Sequence, residues 1–252
     1  MKLGFIGAGN MAFALARGLG EPVVVSDIDP DRAQVLAETV GGEPVPSNAE
    51  VAELADLVVL CHKPAQLTEV AEQVGGKARG VISILAATTT DRLEHAYPGV
   101  PVYRFIPNLA VEVGRGVLCY AAGSAASEGP EEEVLELFGR AGTVIPLADE
   151  ALLEPAMAVM SCGPAFVALV AEAFAEAGAA HGLEPVDARR MAVETMAGTA
   201  AWLERHELDT ADLRRRVATP GGVTEKGLLT LEDGGMRDLC RAAVDTVVEA
   251  TR

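Results

Sequence analysis

The residues best suited to chemistry near the start of the chain are two glycines and an alanine, Gly7, Gly9 and Ala12. With their neighbours they form Gly-Ala-Gly-Asn-Met-Ala, the GxGxxA spacing of a loop that binds the pyrophosphate of a dinucleotide. Gly7 permits a tight turn, Gly9 lets the backbone approach the phosphates, and Ala12 lets the next helix pack close to the preceding strand. A plain strand-to-helix turn is the alternative, but the strand before this loop and the helix after it favour a dinucleotide site.

An acidic residue, Asp27, follows Gly7 by about twenty positions and is at the end of the second predicted strand. A carboxylate there can accept hydrogen bonds from the ribose hydroxyls of NAD. The 2′-phosphate of NADPH would favour a cation near this position instead. The next residue, Ile28, is uncharged, and Arg32 is one turn into the next helix. The other role open to Asp27 and Asp29 is to cap a helix that begins at Pro30. The pattern predicts a modest preference for NADH and leaves NADPH open.

The elements that position this loop alternate along the first part of the chain. Predicted strands cover residues 2–6, 22–26, 57–61, 81–84 and 102–105, with later ones at 117–121 and 143–147. Alternation of strands with amphipathic helices is typical of a parallel sheet covered on both faces. Strand signals stop near residue 148. We therefore expect an α/β Rossmann-type dinucleotide-binding domain at 1–148 and an all-α domain at 149–252.

The second domain begins with a segment, residues 151–180, that is apolar nearly all round. Such a helix is expected to be buried, here against another subunit, because a domain of this size cannot easily surround it alone. Helix breaks are predicted at residues 181–185 and 219–222, where glycine and proline cluster.

Composition narrows the class of protein further. A formal net charge of −17 argues against nucleic acid as a partner. Four cysteines and four histidines lack metal-ligand spacing, so we expect no metal and reduced thiols. Charged residues interrupt the apolar runs and no signal peptide precedes the first strand, so we expect a cytoplasmic protein without a membrane anchor.

Several further motifs follow one another in a fixed order. Lys-Pro occupies residues 63–64, Ser-Ile-Leu-Ala-Ala residues 83–87, Arg-Phe-Ile-Pro-Asn residues 104–108 and Gly-Pro-Ala-Phe residues 163–166. The most specific is Leu-Arg-Arg-Arg-Val-Ala-Thr-Pro-Gly-Gly-Val-Thr at residues 213–224. Together with the N-terminal loop and Asn48, this order resembles the pyrroline-5-carboxylate reductase family over nearly the whole chain.

The resemblance implies that NADPH or NADH reduces the cyclic C=N bond of Δ1-pyrroline-5-carboxylate to give L-proline. Gly221 and Gly222 would let successive backbone N–H groups cradle the substrate carboxylate, helped by a helix that begins near Val223. The family threonine that matches Thr224 hydrogen-bonds the imine nitrogen, which makes Thr224 the predicted catalytic residue. Without the resemblance, a helix cap would be the simpler interpretation of Thr224.

The predicted sites follow from these motifs. The predicted substrate-binding residues are Thr219, Gly221, Gly222, Val223 and Thr224. The predicted cofactor-binding residues are Gly7, Gly9, Asn10, Met11, Ala12, Asp27, Asn48, Lys63, Pro64 and Ala86. For Lys63, a solvated lysine at a strand end is an equally good interpretation.

Departures from the family pattern leave the substrate open. His62 replaces an apolar residue, Leu109 a frequent threonine, and Glu225 and Lys226 less charged residues. A reductase of a six-membered imine, piperideine-2-carboxylate, is the nearest alternative, and a non-catalytic regulatory homologue is another. A β-hydroxyacid dehydrogenase is disfavoured because residues 165–180 lack the helix-borne lysine and asparagine of that family. The resemblance also implies interlocked homodimers, in some members assembled as five pairs into a decamer.

Overall fold

The computed structural model describes residues 1–251, and the chain divides into two compact units, residues 1–162 and 163–250. The first unit is built on one eight-stranded sheet in the order β3-β2-β1-β4-β5-β6-β7-β8. Its strands are β1 (Leu3–Ile6), β2 (Val23–Ser26), β3 (Glu43–Pro44), β4 (Leu57–Leu60), β5 (Val81–Ser83), β6 (Val102–Pro107), β7 (Gly116–Ala122) and β8 (Gly142–Pro146). Because β2 and β4 flank β1, the strand order reverses at β1, where α/β sheets form their ligand crevice.

Helices cover both faces of this sheet. The first unit contains α1 (Asn10–Leu19), α2 (Pro30–Val40), α3 (Asn48–Leu54), α4 (Leu67–Val74), α5 (Thr90–Ala96), α6 (Glu131–Gly139) and α7 (Leu153–Ala156). Alternate residues of β1 enter different cores: Leu3 and Phe5 pack with Phe105 and Phe138 on one face, and Ile6 packs on the other. The predicted Rossmann-type fold is confirmed, since the apolar strands are buried on both sides as a parallel sheet requires.

The sheet differs from the predicted one in two ways. The edge strand β3 was not predicted, because its two residues, Glu43 and Pro44, are exposed and carry no apolar signal. Strand β7 runs antiparallel to β6, whereas the alternation of strands and helices indicated a parallel sheet and gave the later strands no direction. Only the five-residue 3-10 helix Leu109–Val113 connects β6 and β7, and a parallel pair would need a crossover of a dozen residues or more.

Residues 149–162 pack with the first unit, which therefore extends past the expected boundary at residue 148. Leu153 and Met160 join Ile106 and Cys119 in a small apolar cluster. Contacts within the chain divide it after Cys162. The functional domain boundary at residue 148 stays a prediction.

The helix that leaves this cluster is irregular before it becomes α8. Residues Met157–Ser161 form a π-helical turn. Pro164 has no N–H to donate to the carbonyl oxygen of Met160, four residues earlier. The side chain of Asn108 donates to that oxygen instead, at 2.9 Å. Asn108 thus satisfies the backbone group that the proline leaves without its usual partner.

The second unit is all-helical, as predicted. It contains α8 (Gly163–Ala180), α9 (Pro185–Arg205), α10 (Thr210–Val217), α11 (Val223–Asp233) and α12 (Met236–Ala250). The helix breaks fall where the sequence places them, between α8 and α9 and between α10 and α11.

Within the single chain only the first part of the apolar segment 151–180 is buried, at Leu153, Ala158 and Met160 beside the first unit. Ala175 is the one buried residue of α8, whereas Val167, Leu169 and Phe174 are more than half exposed. The helical stretch Glu150–Ala180 contains an 18-residue segment with a mean hydropathy of 1.7, and it is long and apolar enough to cross a membrane by length and composition. The expected burial therefore requires a surface that the single chain does not provide.

Candidate functional site

A cleft of about 850 Å³ opens at the carboxyl ends of β1, β2, β4 and β5. Eight of the ten predicted cofactor residues line it: Gly7, Gly9, Met11, Asp27, Asn48, Lys63, Pro64 and Ala86. Asn10 is exposed at the start of α1, and Ala12 is buried, where its small side chain lets α1 pack on the sheet. The structure thus gathers most of the predicted residues around one cavity.

The two glycines of the loop are required for different reasons. Gly7 has φ +102, and a Cβ on it would lie 2.8 Å from the carbonyl carbon of Cys61, so the protein itself demands glycine there. Gly9 has φ −80 and ψ 176, which any residue adopts, and a Cβ on it would meet no atom within 4 Å. Neither backbone nor packing explains the glycine at position 9. Open space in front of its backbone fits a dinucleotide pyrophosphate at the start of α1.

Asp27 fastens the glycine loop to the end of β2. Its carboxylate accepts hydrogen bonds from the backbone N–H of Ala8 at 2.6 Å and of Asp29 at 2.9 Å. The cap of α2 is Asp29, which accepts from the N–H of Asp31, so the capping role holds for Asp29 and not for Asp27. Each Asp27 oxygen keeps a second lone pair that a ribose hydroxyl can use. Arg32 lines the same cleft and is a candidate partner for a 2′-phosphate.

Residues that follow β4 form the wall opposite Asp27. The Nδ1 atom of His62 lies 2.9 Å from the carbonyl oxygen of Lys63. Burial lowers the pKa of His62, and the Lys63 contact offsets this only in part, so the ring is neutral at pH 7. Burial also raises the pKa of the Cys61 thiol, which therefore stays protonated.

Asn48 holds a second wall of the cleft. Its Oδ1 accepts from the hydroxyl of Ser26 at 2.6 Å, and its Nδ2 donates to Oε1 of Gln73 at 2.6 Å. The sequence indicated Asn48 but not Gln73 or His62, which also line the cleft. His62 could have been found from the sequence because it directly precedes the Lys63-Pro64 motif. Gln73 is on the exposed side of α4, and no motif in the sequence points to it.

In the second unit, residues 219–222 form a tight turn before α11. The N–H of Gly222 donates to the carbonyl oxygen of Thr219 at 2.9 Å, Pro220 follows Thr219, and Gly221 has φ +74. These features define a type II turn, which needs glycine at its third position. A Cβ on Gly222 would lie 2.6 Å from Oγ1 of Thr219. The turn itself therefore requires both glycines.

Helix α11 begins at Val223, close to where the sequence predicts it. Among the described residues, the backbone N–H groups of Val223, Thr224 and Glu225 have no acceptor. The N–H of Gly221, which was predicted to join the cradle, donates to Oε2 of Glu225 at 2.7 Å. The N–H of Gly222 is also occupied, so the free donors begin two residues further along the chain than predicted.

Thr224 is exposed and is the second residue of α11. The N-cap of this helix is Gly222, and no side chain caps it. The alternative role of Thr224 as a helix cap is thus not seen. Thr224 is therefore in the first turn of the helix, at its positive end, where an anion is stabilised.

A Rossmann-type sheet with a glycine loop, followed by an all-helical unit, defines a two-part nucleotide-dependent oxidoreductase fold. The family profile described as pyrroline-5-carboxylate reductase dimerisation matches residues 150–252. A second profile, described as NADP oxidoreductase, coenzyme F420-dependent, matches residues 2–87.

Known relatives match along nearly the whole chain. The pyrroline-5-carboxylate reductase of Synechocystis is 32% identical over 97% of this chain and 94% of its own length. That of Mycobacterium tuberculosis is 34% identical over 100% of this chain and 94% of its own. A solved pyrroline-5-carboxylate reductase from Coxiella burnetii superposes with a TM-score of 0.90 at 28% identity, covering 99% of this chain and 96% of that one. The chain belongs to the pyrroline-5-carboxylate reductase family.

Proposed function

We propose that this protein reduces Δ1-pyrroline-5-carboxylate to L-proline with NADH or NADPH. Family membership over 97% of the chain carries the proposal. The open space at Gly9 supports it, because a glycine that neither backbone nor packing requires fits a bound dinucleotide. When bound, the reduced nicotinamide supplies the hydride that adds to the imine carbon.

The chain's own residues bind and orient the reactants. Gly9 and its neighbours in the loop leave the phosphates access to the start of α1, while Asp27 accepts from a ribose hydroxyl. The N–H groups of Val223, Thr224 and Glu225 bind the substrate carboxylate. The hydroxyl of Thr224 donates a hydrogen bond to the imine nitrogen, and the proton that this nitrogen takes up as the C=N bond is reduced comes from solvent.

A direct assay tests this function. The purified protein is given the five-membered and six-membered imines, each with NADH and with NADPH, and oxidation of the cofactor is followed by absorbance. We expect the highest kcat/KM with Δ1-pyrroline-5-carboxylate. A higher value with piperideine-2-carboxylate would make the protein a reductase of the larger ring, and no turnover with either imine would favour a non-catalytic homologue.

We expect kcat/KM with NADH to exceed that with NADPH modestly, because the Asp27 carboxylate repels a 2′-phosphate. Asp27→Asn removes the charge and keeps an acceptor for the N–H of Ala8, so it should shift the ratio toward NADPH by roughly 3- to 10-fold. Asp29→Asn, at the cap of α2, is the matched control and should leave the ratio unchanged. A wild-type preference for NADPH that Asp27→Asn does not alter would show that Arg32 or a nest of backbone N–H groups decides the cofactor preference.

The protein should form a homodimer through its second unit. Helices α8 and α9 enclose an apolar groove of about 550 Å³, lined by Val167, Phe174, Met191, Met196 and Leu203 among others. A second copy is its proposed occupant, since the dimerisation profile covers this region and α8 is exposed in the single chain. Light scattering at micromolar concentration should give the mass of at least two chains, and a decamer of five dimers is the larger assembly proposed. A mass of one chain would contradict the dimer.

The exposed apolar surface of α8 also raises the question of where in the cell the protein is located. We propose a cytoplasmic protein whose apolar α8 is covered by its partner rather than by lipid. The expected result is that the protein stays in the supernatant when cell membranes are sedimented, without detergent. Recovery in the membrane fraction would instead favour lipid as the surface that covers residues 150–180.

A further inference from the structure

The loop between β5 and α5, residues 84–89, forms part of the wall of the cofactor cleft. Ile84, Leu85 and Ala86 of this loop line the cavity. The next residue, Ala87, has φ +50. That left-handed conformation is unfavourable for any residue with a Cβ, and it persists only where the surroundings enforce it. The loop next to the cofactor site is therefore under strain and needs an anchor.

Contacts within the loop supply part of that anchor. Thr88 is fully buried and donates from its hydroxyl to the carbonyl oxygen of Ala86 at 3.1 Å. Arg92, on the first turn of α5, donates to the carbonyl oxygen of Ala87 at 3.4 Å, which is a long hydrogen bond. The start of the loop is bonded to the sheet, because the N–H of Ile84 donates to the carbonyl oxygen of Leu60 on β4 at 3.2 Å. The contacts of Thr88 and Arg92 are local, so they do not fix the far end of the loop to the sheet.

The far end of the loop is fixed by Glu150, sixty residues further along the chain than Thr90. Its Oε1 accepts from the backbone N–H of Thr90 at 2.7 Å, and its Oε2 accepts from the Thr90 hydroxyl at 2.9 Å. Thr90 is the first residue of α5 and follows the loop directly. One carboxylate thus holds both donors of the residue at which the loop ends.

Arg104 holds Glu150 in place. It lies on β6, with its side chain 6% exposed, and its Nη1 forms an ion pair with Oε1 of Glu150. Burial would raise the pKa of Glu150, but the hydrogen bonds from Arg104 and Thr90 outweigh it and lower that pKa below its usual value. The carboxylate is therefore ionised at neutral pH, and the loop is tied to a central strand of the sheet.

We propose that Glu150 and Thr90 are positioning residues for the dinucleotide: they hold the strained loop 84–89 in the shape that completes the cleft. This inference rests on the proposed function, because it takes the ligand of the cleft to be NADH or NADPH. Neither residue lines the cleft. Both act through Ala86 and its neighbours.

Thr90 offers a sharper test than Glu150. Removing the Glu150 charge would leave the buried Arg104 without its partner, which threatens folding. Thr90→Val removes one hydroxyl and keeps the size and the backbone N–H. It should raise the Kd for NADPH, measured by fluorescence titration, by about 3- to 10-fold, the range for one lost hydrogen bond. Thr90→Ser keeps the hydroxyl and should bind like the wild type.

A second substitution separates positioning from general stability. Glycine adopts a positive φ without steric cost, so Ala87→Gly relieves the strain that the anchor opposes. Added to Thr90→Val, it should restore most of the lost affinity. Thr39→Val is the matched control, because its exposed hydroxyl bonds to the Val35 carbonyl oxygen within α2, outside the cleft. Thermal melting of each variant confirms that it is folded.

Two results would overturn the inference: Thr90→Val with the wild-type Kd, or a loss of affinity that Ala87→Gly does not reduce. If the wild type bound neither NADH nor NADPH, the proposed function itself would fail. A wild type that binds, together with a Thr90→Val protein that binds equally well, would refute the positioning role alone.

Discussion

Replacing Thr224 with alanine should lower kcat by roughly 10- to 1000-fold, the effect of losing a general acid or a transition-state hydrogen bond. The reason is the loss of the hydroxyl that donates to the imine nitrogen as it becomes an amine. The Kd for NADPH should barely change, because the residues of the cofactor cleft all belong to the first unit. Steady-state kinetics with the best imine and a fluorescence titration measure the two effects.

Thr230→Ala is the matched control for that substitution. Thr230 is on the same helix, and its hydroxyl donates to the carbonyl oxygen of Lys226 at 3.0 Å. The same chemical change one turn and a half further along α11 should leave kcat within a factor of about 2. Turnover by a folded, oligomeric Thr224→Ala protein at the wild-type rate would refute the catalytic role.

Gly222 cannot serve as a companion probe of substrate binding. A side chain there would raise the KM by blocking the approach of the carboxylate, but a Cβ would also lie 2.6 Å from Oγ1 of Thr219. Any substitution of Gly222 therefore distorts the turn as well as the cradle. The hydroxyl of Thr224, in contrast, can be removed without altering the backbone.

The parts of the molecule that the sequence predicts well are those set by neighbouring residues. The strand, glycine loop and helix at residues 3–19 follow from one local motif, and the turn at 219–222 follows from Pro-Gly-Gly. Strand β3 escaped prediction because it has two exposed residues and exists only by pairing with β2. The direction of β7 depends on the short connection between β6 and β7. The alternation of apolar residues that predicts a strand does not indicate its direction.

Contacts between distant residues were out of reach for a similar reason. Glu150 meets Thr90 across sixty residues, and Asn108 meets the carbonyl of Met160 across 52. Neither pair has a spacing that a helix or strand period would reveal. Glu225 is a subtler case: its charge was noticed as a departure from the family, but its bond to the N–H of Gly221 depends on how the turn folds.

The glycine loop gives the second large expected effect. Gly9→Val should raise the Kd for NADH and NADPH by roughly 100-fold or more, because the new side chain would occupy the space that the pyrophosphate needs and prevent at least one charge-assisted hydrogen bond. The fold should tolerate the change, since Gly9 has φ −80 and a Cβ there would meet no atom within 4 Å. Fluorescence titration measures affinity, and thermal melting measures stability.

Gly139→Val is the control, because a Cβ at Gly139, at the end of α6, also meets no atom within 4 Å but lies away from the cleft. It should leave both Kd values unchanged. Gly7→Val should behave differently from both: with φ +102 and backbone atoms of Cys61 2.8 Å away, it should lower the melting temperature as well as the affinity. If Gly9→Val melted like the wild type and still bound both dinucleotides normally, the glycine loop would not be the phosphate site, and the cleft would hold some other ligand.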